Sequence, residues 1–242
     1  MTKKERDKAN FNRLQVLYGH RGCVSCLQFD DRLLVSGSHD KTIRVWDTSS
    51  WECIRVIQAH QGTVTCLEFD GKHILSGSVD RLLKLWDACT GQMIRVFSGH
   101  EEPVASLKVF GRLVMSGSTD GMIMFWDYDT GFCEAGIQAH EGSVHSISTC
   151  GDHFVSSGGD NLIKEWDMCT CTCLRTLQGH KGPVQCVRGT YNRILSCSTD
   201  GTVRIWDLDQ RRSQNEPRNI SLHENTIEAK VVRADKNTTQ NA

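Results

Sequence analysis

The chain has 242 residues, a formal net charge of -1 and charges of both signs spread along its length. Nucleic-acid and anionic-membrane surfaces need clustered Lys and Arg, so this balance argues against either partner. No apolar run approaches a membrane span and the first residues lack a signal-peptide core, so the chain is expected in the cytoplasm, the nucleus or both, with its twelve cysteines as reduced thiols.

Residues 1–10 read as a short polar arm, and "RLQVLYGH" then reads as a lone strand near Arg13 to Leu17. From residue 19 the sequence repeats itself every forty residues, in units near 19–58, 59–98, 99–138, 139–178 and 179–222. Such a period marks solenoids and propellers. Each unit opens on a histidine: His20, His60, His100, His140 and His180. A phrase such as "VSGSHD" or "LSCSTD" follows, closing on Asp40, Asp80, Asp120, Asp160 and Asp200. A Trp-Asp pair comes last, at Trp46, Trp86, Trp126, Trp166 and Trp206.

Between these markers, runs such as "TVTCLEF" and "KHILSGS" alternate apolar and polar residues and are separated by Gly or Asp. That pattern predicts four short antiparallel strands per unit. The second and third strands join through Asp-Lys, Asp-Arg, Asp-Gly, Asp-Asn and Asp-Gly, which tolerate the positive φ of tight hairpins. Strict alternation would set Val24 and Cys26, and their counterparts in the other units, on one face of the sheet. A unit this small cannot bury that face without stacked neighbours.

Residues 223–232 align as the start of a sixth unit, with His223 as its histidine, Thr226 to Val232 as its first strand and Glu228 at a rim position. The step from His180 to His223 is 43 residues, which puts three extra residues in "DLDQRRSQNEPRN" and leaves "NISL" as the fifth unit's fourth strand. A sixth unit would lack its two middle strands, so the chain reads as an incomplete product or an isoform cut within that repeat. Residues 233–242 are expected to be a disordered tail.

With "GH" 26 residues before "WD" and "SGSxD" between them, the chain resembles the WD-repeat β-propeller family over residues 11–232. Phrases such as "CLQFDDRLLVSGSHDKTIRVWD" look most like the propellers of F-box/WD-repeat proteins, although the ten or so residues before the first strand leave no room for an F-box. The resemblance implies an all-β propeller with five complete four-stranded blades and partial strands of a sixth at both ends. Either five blades close with loose ends, or the ring is open and its apolar faces favour self-association.

Histidine, serine and aspartate in every unit are the residue types of a hydrolase triad. The serine present in all five is the earlier one of "SGS": Ser36, Ser76, Ser116, Ser156 and Ser196. By resemblance, the tryptophan N–H donates to this serine, the serine to the histidine, and the histidine to the aspartate. Fivefold recurrence and a committed hydroxyl favour a structural network over catalysis. In "DMCTCTCL", Cys169, Cys171 and Cys173 lack the two-residue gap of a zinc site, so neither metal nor cofactor is expected. Cys173 aligns with Cys53, Met93 and Cys133 at an expected buried position, and Cys89, Cys169 and Cys171 remain as candidate reactive thiols.

In the resembled family, partners are held at the residue after the first-strand valine and the residue before the turn aspartate. Here these are Ser25, Thr65, Ala105, His145 and Gln185, with His39, Val79, Thr119, Gly159 and Thr199. None is Arg or Lys, the side chains that clamp phosphate, so a peptide bound by hydrogen bonds and shape is expected, not a phosphodegron. His39 and His145 could add charge at mildly acid pH. The function expected is a non-enzymatic protein-interaction platform, as in the substrate receptors of ubiquitin ligases. An assembly scaffold in signalling, trafficking or RNA processing is the alternative, and a Ser/His/Asp hydrolase a remote third.

Overall fold

The computed structural model describes residues 14–190 and 192–208. Among them the only regular elements are strands. The first blade comprises β1 (Val24–Phe29), β2 (Leu33–Ser38), β3 (Thr42–Asp47) and β4 (Cys53–Gln58). The second comprises β5 (Val64–Phe69), β6 (His73–Ser78), β7 (Leu83–Asp87) and β8 (Met93–Phe97), and the third β9 (Val104–Phe110), β10 (Leu113–Ser118), β11 (Met122–Asp127) and β12 (Cys133–Gln138). The fourth comprises β13 (Val144–Cys150), β14 (His153–Gly158), β15 (Ile163–Asp167) and β16 (Cys173–Leu177). The fifth holds β17 (Val184–Gly189), β18 (Arg193–Ser198) and β19 (Val203–Asp207). Each is an antiparallel meander in chain order, so four sheets have four strands and the fifth has three.

The expected fourth strand at "NISL", the sixth-unit strand from Thr226 to Val232, the polar arm and the tail all lie outside the described residues. Residues 14–17 do not form the expected strand. A fourth strand pairs only with the third strand of its own blade, as β4 does with β3, and no such strand precedes β1 among the described residues. The hairpins behave as their residues dictate: Lys41, Arg81, Gly121, Asn161 and Gly201 all take φ between 68° and 88°.

The expected alternation along the first strand is broken. A bulge at Ser25 and Thr65 inserts one residue against β2 and β6, so Val24 pairs with Ser38 while Cys26 pairs with Gly37. The bulge turns Val64 back onto Gly37 of the preceding blade and Cys66 forward towards Val104 of the next. Valine and cysteine thus face opposite ways, and each glycine of "SGS" is where two blades touch. A methyl group on Gly37, Gly77 or Gly117 would come within 2.6–2.8 Å of the next blade's valine.

Successive blades meet through their first strands, β1 on β5, β5 on β9, β9 on β13 and β13 on β17, and each second strand also touches the next first strand. The apolar core is therefore a series of layers between blades: Val35, Val45 and Ile57 pack with Val64, Leu67 and Trp86. These blades form an open arc. In blade 1, Val24, Leu27 and Phe29 are 52%, 57% and 69% exposed, whereas Val64 and Leu67 at the same places in blade 2 are 0% and 5%. At the other end, Leu195, Val203 and Ile205 are 39%, 72% and 65% exposed, whereas their counterparts Val35, Ile43 and Val45 are all 0%.

Candidate functional site

Antiparallel pairing puts the start of each first strand and the end of each second strand at one end of the blade. There the histidine, serine and tryptophan of each unit meet, joined in four of the five by the aspartate. The Trp Nε1–H donates to the serine Oγ at 2.8–2.9 Å in all five blades. The serine Oγ lies 2.6–2.8 Å from Nε2 of the histidine. A carboxylate at Nδ1 can only accept, so in the four blades that have one the imidazole proton sits on Nδ1 and Nε2 is left to accept from the serine hydroxyl. In four blades Nδ1 donates to the aspartate: His20 to Asp40, His60 to Asp80, His140 to Asp160 and His180 to Asp200, at 2.8–2.9 Å.

Burial alone would raise the Asp40 carboxyl, but hydrogen bonds from Thr42, the Arg21 amide and His20 outweigh it and hold the group well below the usual carboxylate range. Asp80 and Asp160 are also lowered, against the opposing effect of burial, by amide and histidine hydrogen bonds. All five serines are buried. Each hydroxyl is held between indole and imidazole.

The third blade departs from the expected network. His100 keeps its bond to Ser116, but its buried Nδ1 has no partner and Asp120 stands apart. One residue of the loop sets this blade apart. The other units carry glycine two places after the histidine, and a Cβ on Gly22 or Gly62 would lie 2.8 Å from the amide of Asp40 or Asp80. Blade 3 has Glu102 there. Ser118 Oγ, whose counterparts Ser38, Ser78 and Ser198 bond the turn aspartate's amide, is also left without a partner, although the Thr119 amide keeps its bond to the Pro103 carbonyl. Burial pushes His100 down to about 4, and the charge of Asp120 offsets this only in part.

At the same blade end lie the expected rim positions. His39, Val79, Thr119, Gly159 and Thr199 are tied by their amides to the residue before each first strand. Ser25, His39, Val79, Thr119, Gln185 and Thr199 are exposed, while Thr65, Ala105, His145 and Gly159 are half-buried. Two of the ten already have structural partners. Ser25 donates to the Gly37 and Val64 carbonyls, and Thr65 to those of Gly77 and Val104. In blades 3 and 4 the rim residue is Ala105 or His145 and the next residue supplies the hydroxyl: Ser106 donates to Val144 and Ser146 to Val187. In each of blades 1 to 4 a hydroxyl near the start of the first strand thus bonds the next blade's first strand, and in blade 4 Ser148 Oγ also accepts from the Gly189 amide. Burial and the adjacent His140 ring push His145 down, which works against the charge it could add at mildly acid pH.

Spacing alone gave no role to the aspartate of each Trp-Asp pair. Asp47, Asp87, Asp127 and Asp167 cap the third-to-fourth hairpin by accepting from the amides of Ser50, Thr90, Thr130 and Thr170 at 2.7–2.8 Å. Cys173 is exposed, not buried as expected, because it starts an outermost strand paired on one side only. Cys171 is half-buried and its thiol is raised by burial and by Asp167, whereas Cys89 and Cys169 are exposed.

The family model described as WD domain, G-beta repeat matches residues 11–47, 51–87, 91–127, 131–167 and 171–207. The chain is similar to the Probable E3 ubiquitin ligase complex SCF subunit sconB of Penicillium rubens, 49% identical over 39 residues, which are 16% of this chain and 6% of that protein. It is similar to subunit scon-2 of Neurospora crassa, 49% identical over 41 residues, 17% of this chain and 6% of the relative. The sconB protein of Aspergillus oryzae is 50% identical over 38 residues, 16% and 5% of the two chains. The matched stretches thus span 5–6% of the relatives' own lengths.

Proposed function

Because the chain belongs to the WD40 repeat family, we propose that it is a protein-interaction platform that holds a substrate protein as ubiquitin-ligase receptors do. The surface that carries this reading is the blade end with His39, Val79, Thr119, Gln185 and Thr199, five exposed side chains without a carboxylate, lysine or arginine among them. Such a surface suits a short peptide held by hydrogen bonds and shape, and disfavours a phosphorylated one. The ligase part rests on the similarity to SCF subunits, which covers a single repeat's length. We propose no catalytic role for the buried tetrads, and a cytoplasmic or nuclear setting that suits twelve free thiols.

Selection of displayed peptides on the immobilised chain tests the platform. Val79→Asp and Thr119→Arg should abolish binding of the selected peptides while leaving thermal unfolding unchanged. Selected peptides that bind both variants as well as the parent, or enrichment of phosphopeptides, would reject this face. Recovery of a cullin-type ligase with the full-length product separates the receptor reading from an assembly scaffold.

A further inference from the structure

The two ends of the arc are opposite halves of one kind of junction. Within the chain, a blade's trailing face (Val35, Ile43, Val45 in blade 1) is always covered by the leading face of the next blade (Val64, Leu67, Phe69 in blade 2). Blade 1 presents the same leading set, Val24, Leu27 and Phe29, uncovered. A hollow lies beside it, walled by Tyr18, Val24, Leu27, Leu34 and the Trp46 ring. Blade 5 presents an uncovered aliphatic trailing set, Leu195, Val203 and Ile205.

We propose that the chain self-associates head to tail, with the trailing face of blade 5 in one copy seated on the leading face of blade 1 in the next. The occupant is a second copy because the chain itself repeats the required fit: four successive junctions between blades, each a leading face on a trailing face. The fourth junction is the nearest template. There the glycine of "SGS" is replaced by Ser157 and the first strand of blade 5 still packs, and Cys197 occupies the same place on the trailing face of blade 5. Gln185 stands where Ser25 and Thr65 donate to the next blade's valine carbonyl, and its exposed amide is set to reach Val24 of the neighbouring copy. Leading and trailing faces differ, so the contact is heterologous: it leaves one free face at each end of a pair and allows growth beyond a dimer.

Sedimentation velocity of the full-length chain over a concentration series tests this with Leu27→Asp (leading face) and Ile205→Asp (trailing face). Both side chains are exposed, so each variant should keep the parent's tryptophan fluorescence and thermal unfolding. The parent should show a mass that rises with concentration past the dimer. Each variant alone should sediment as a single chain. Mixed, they should form a dimer and nothing larger, because one intact trailing face meets one intact leading face. A parent that stays monomeric throughout, a dimer retained by either variant alone, or a mixture that fails to pair would each overturn the proposal.

Discussion

His100 and Asp120 occupy the places that His60 and Asp80 hold in the preceding blade, yet no hydrogen bond joins them. Glu102 stands where the other units have glycine, and a Cβ at that place in blades 1 and 2 would lie 2.8 Å from the amide of the turn aspartate. Glu102→Gly should let the turn close and recover the bonds from His100 Nδ1 and from the Asp120 amide to Ser118. The expected gain is about 1–2 kcal/mol, after the cost of a flexible glycine, read as a shift of the urea midpoint. The pH dependence has a definite sign. His100 falls from the ordinary 6.5 to about 4 in the folded chain, so its contribution is fully present above 6.5 and is lost as the pH drops towards 4. That loss amounts to about 3 kcal/mol at most. Glu102→Gly should raise the His100 pKa and flatten the acid limb, and an unchanged limb would refute this role for Glu102.

The tryptophans should not be equivalent. Trp126 is wholly buried between blades and donates to Ser116, whereas Trp206 in the last blade is only half-buried. Trp126→Ala should cost roughly 3–5 kcal/mol through its cavity and the freed hydroxyl. Trp206→Ala should cost clearly less, and paired chemical unfolding curves give the comparison.

Glu165 stands where the other blades carry Val45, Leu85, Phe125 and Ile205. Its wholly buried carboxylate is 2.8 Å from Nε of Arg175, which is partly exposed. Arg175→Ala should destabilise by roughly 1–3 kcal/mol, less than a fully buried pair because water reaches the arginine. Glu165→Val with Arg175→Ala should recover most of that loss or exceed it. A double variant no better than the single one would show that the pair is not the source.

Gly117 abuts Val144 of the next blade, where an added methyl would lie 2.6 Å from its side chain. Gly117→Ala should therefore cost about 1–3 kcal/mol by overpacking, although its φ suits any residue. The midpoint of thermal unfolding reads this directly.

Thiol reactivity should follow burial. Burial raises Cys66 to about 12 and Cys26 to about 11, whereas Cys23, Cys89, Cys169 and Cys173 lie on the surface. Brief alkylation near neutral pH, mapped by mass spectrometry, should label the surface four well before the half-buried Cys26 and Cys66. Early labelling of Cys66 would mean that the junction between blades 2 and 3 opens readily.

The repeat, its strands and its hairpin turns were legible because each carries a local signature: Trp-Asp at fixed intervals, alternating apolar residues, and a turn residue that tolerates positive φ. Val24 and Cys26 were misassigned to one face because a bulge leaves the amino-acid types unchanged while shifting the pairing by a residue. Glu102 is the one break in the glycine at that place, but its bearing on His100 is visible only once that glycine is seen to lie against the opposite turn. Cys173 was judged by its alignment partners, and an outermost strand has no second neighbour to cover it. At the rim, side-chain identity alone could not tell Ser25 and Thr65, which bond the next blade, from Thr119, which faces solvent.

That last difference bears on how such a surface can diversify. In blades 1 and 2 the hydroxyl that fastens the wall is the rim residue itself, so a new specificity there would loosen the junction. In blades 3 and 4 the fastening has moved one residue along, to Ser106 and Ser146. Ala105 and His145 are thereby released from architecture, and selection can try new side chains at these two places without weakening the scaffold that presents them.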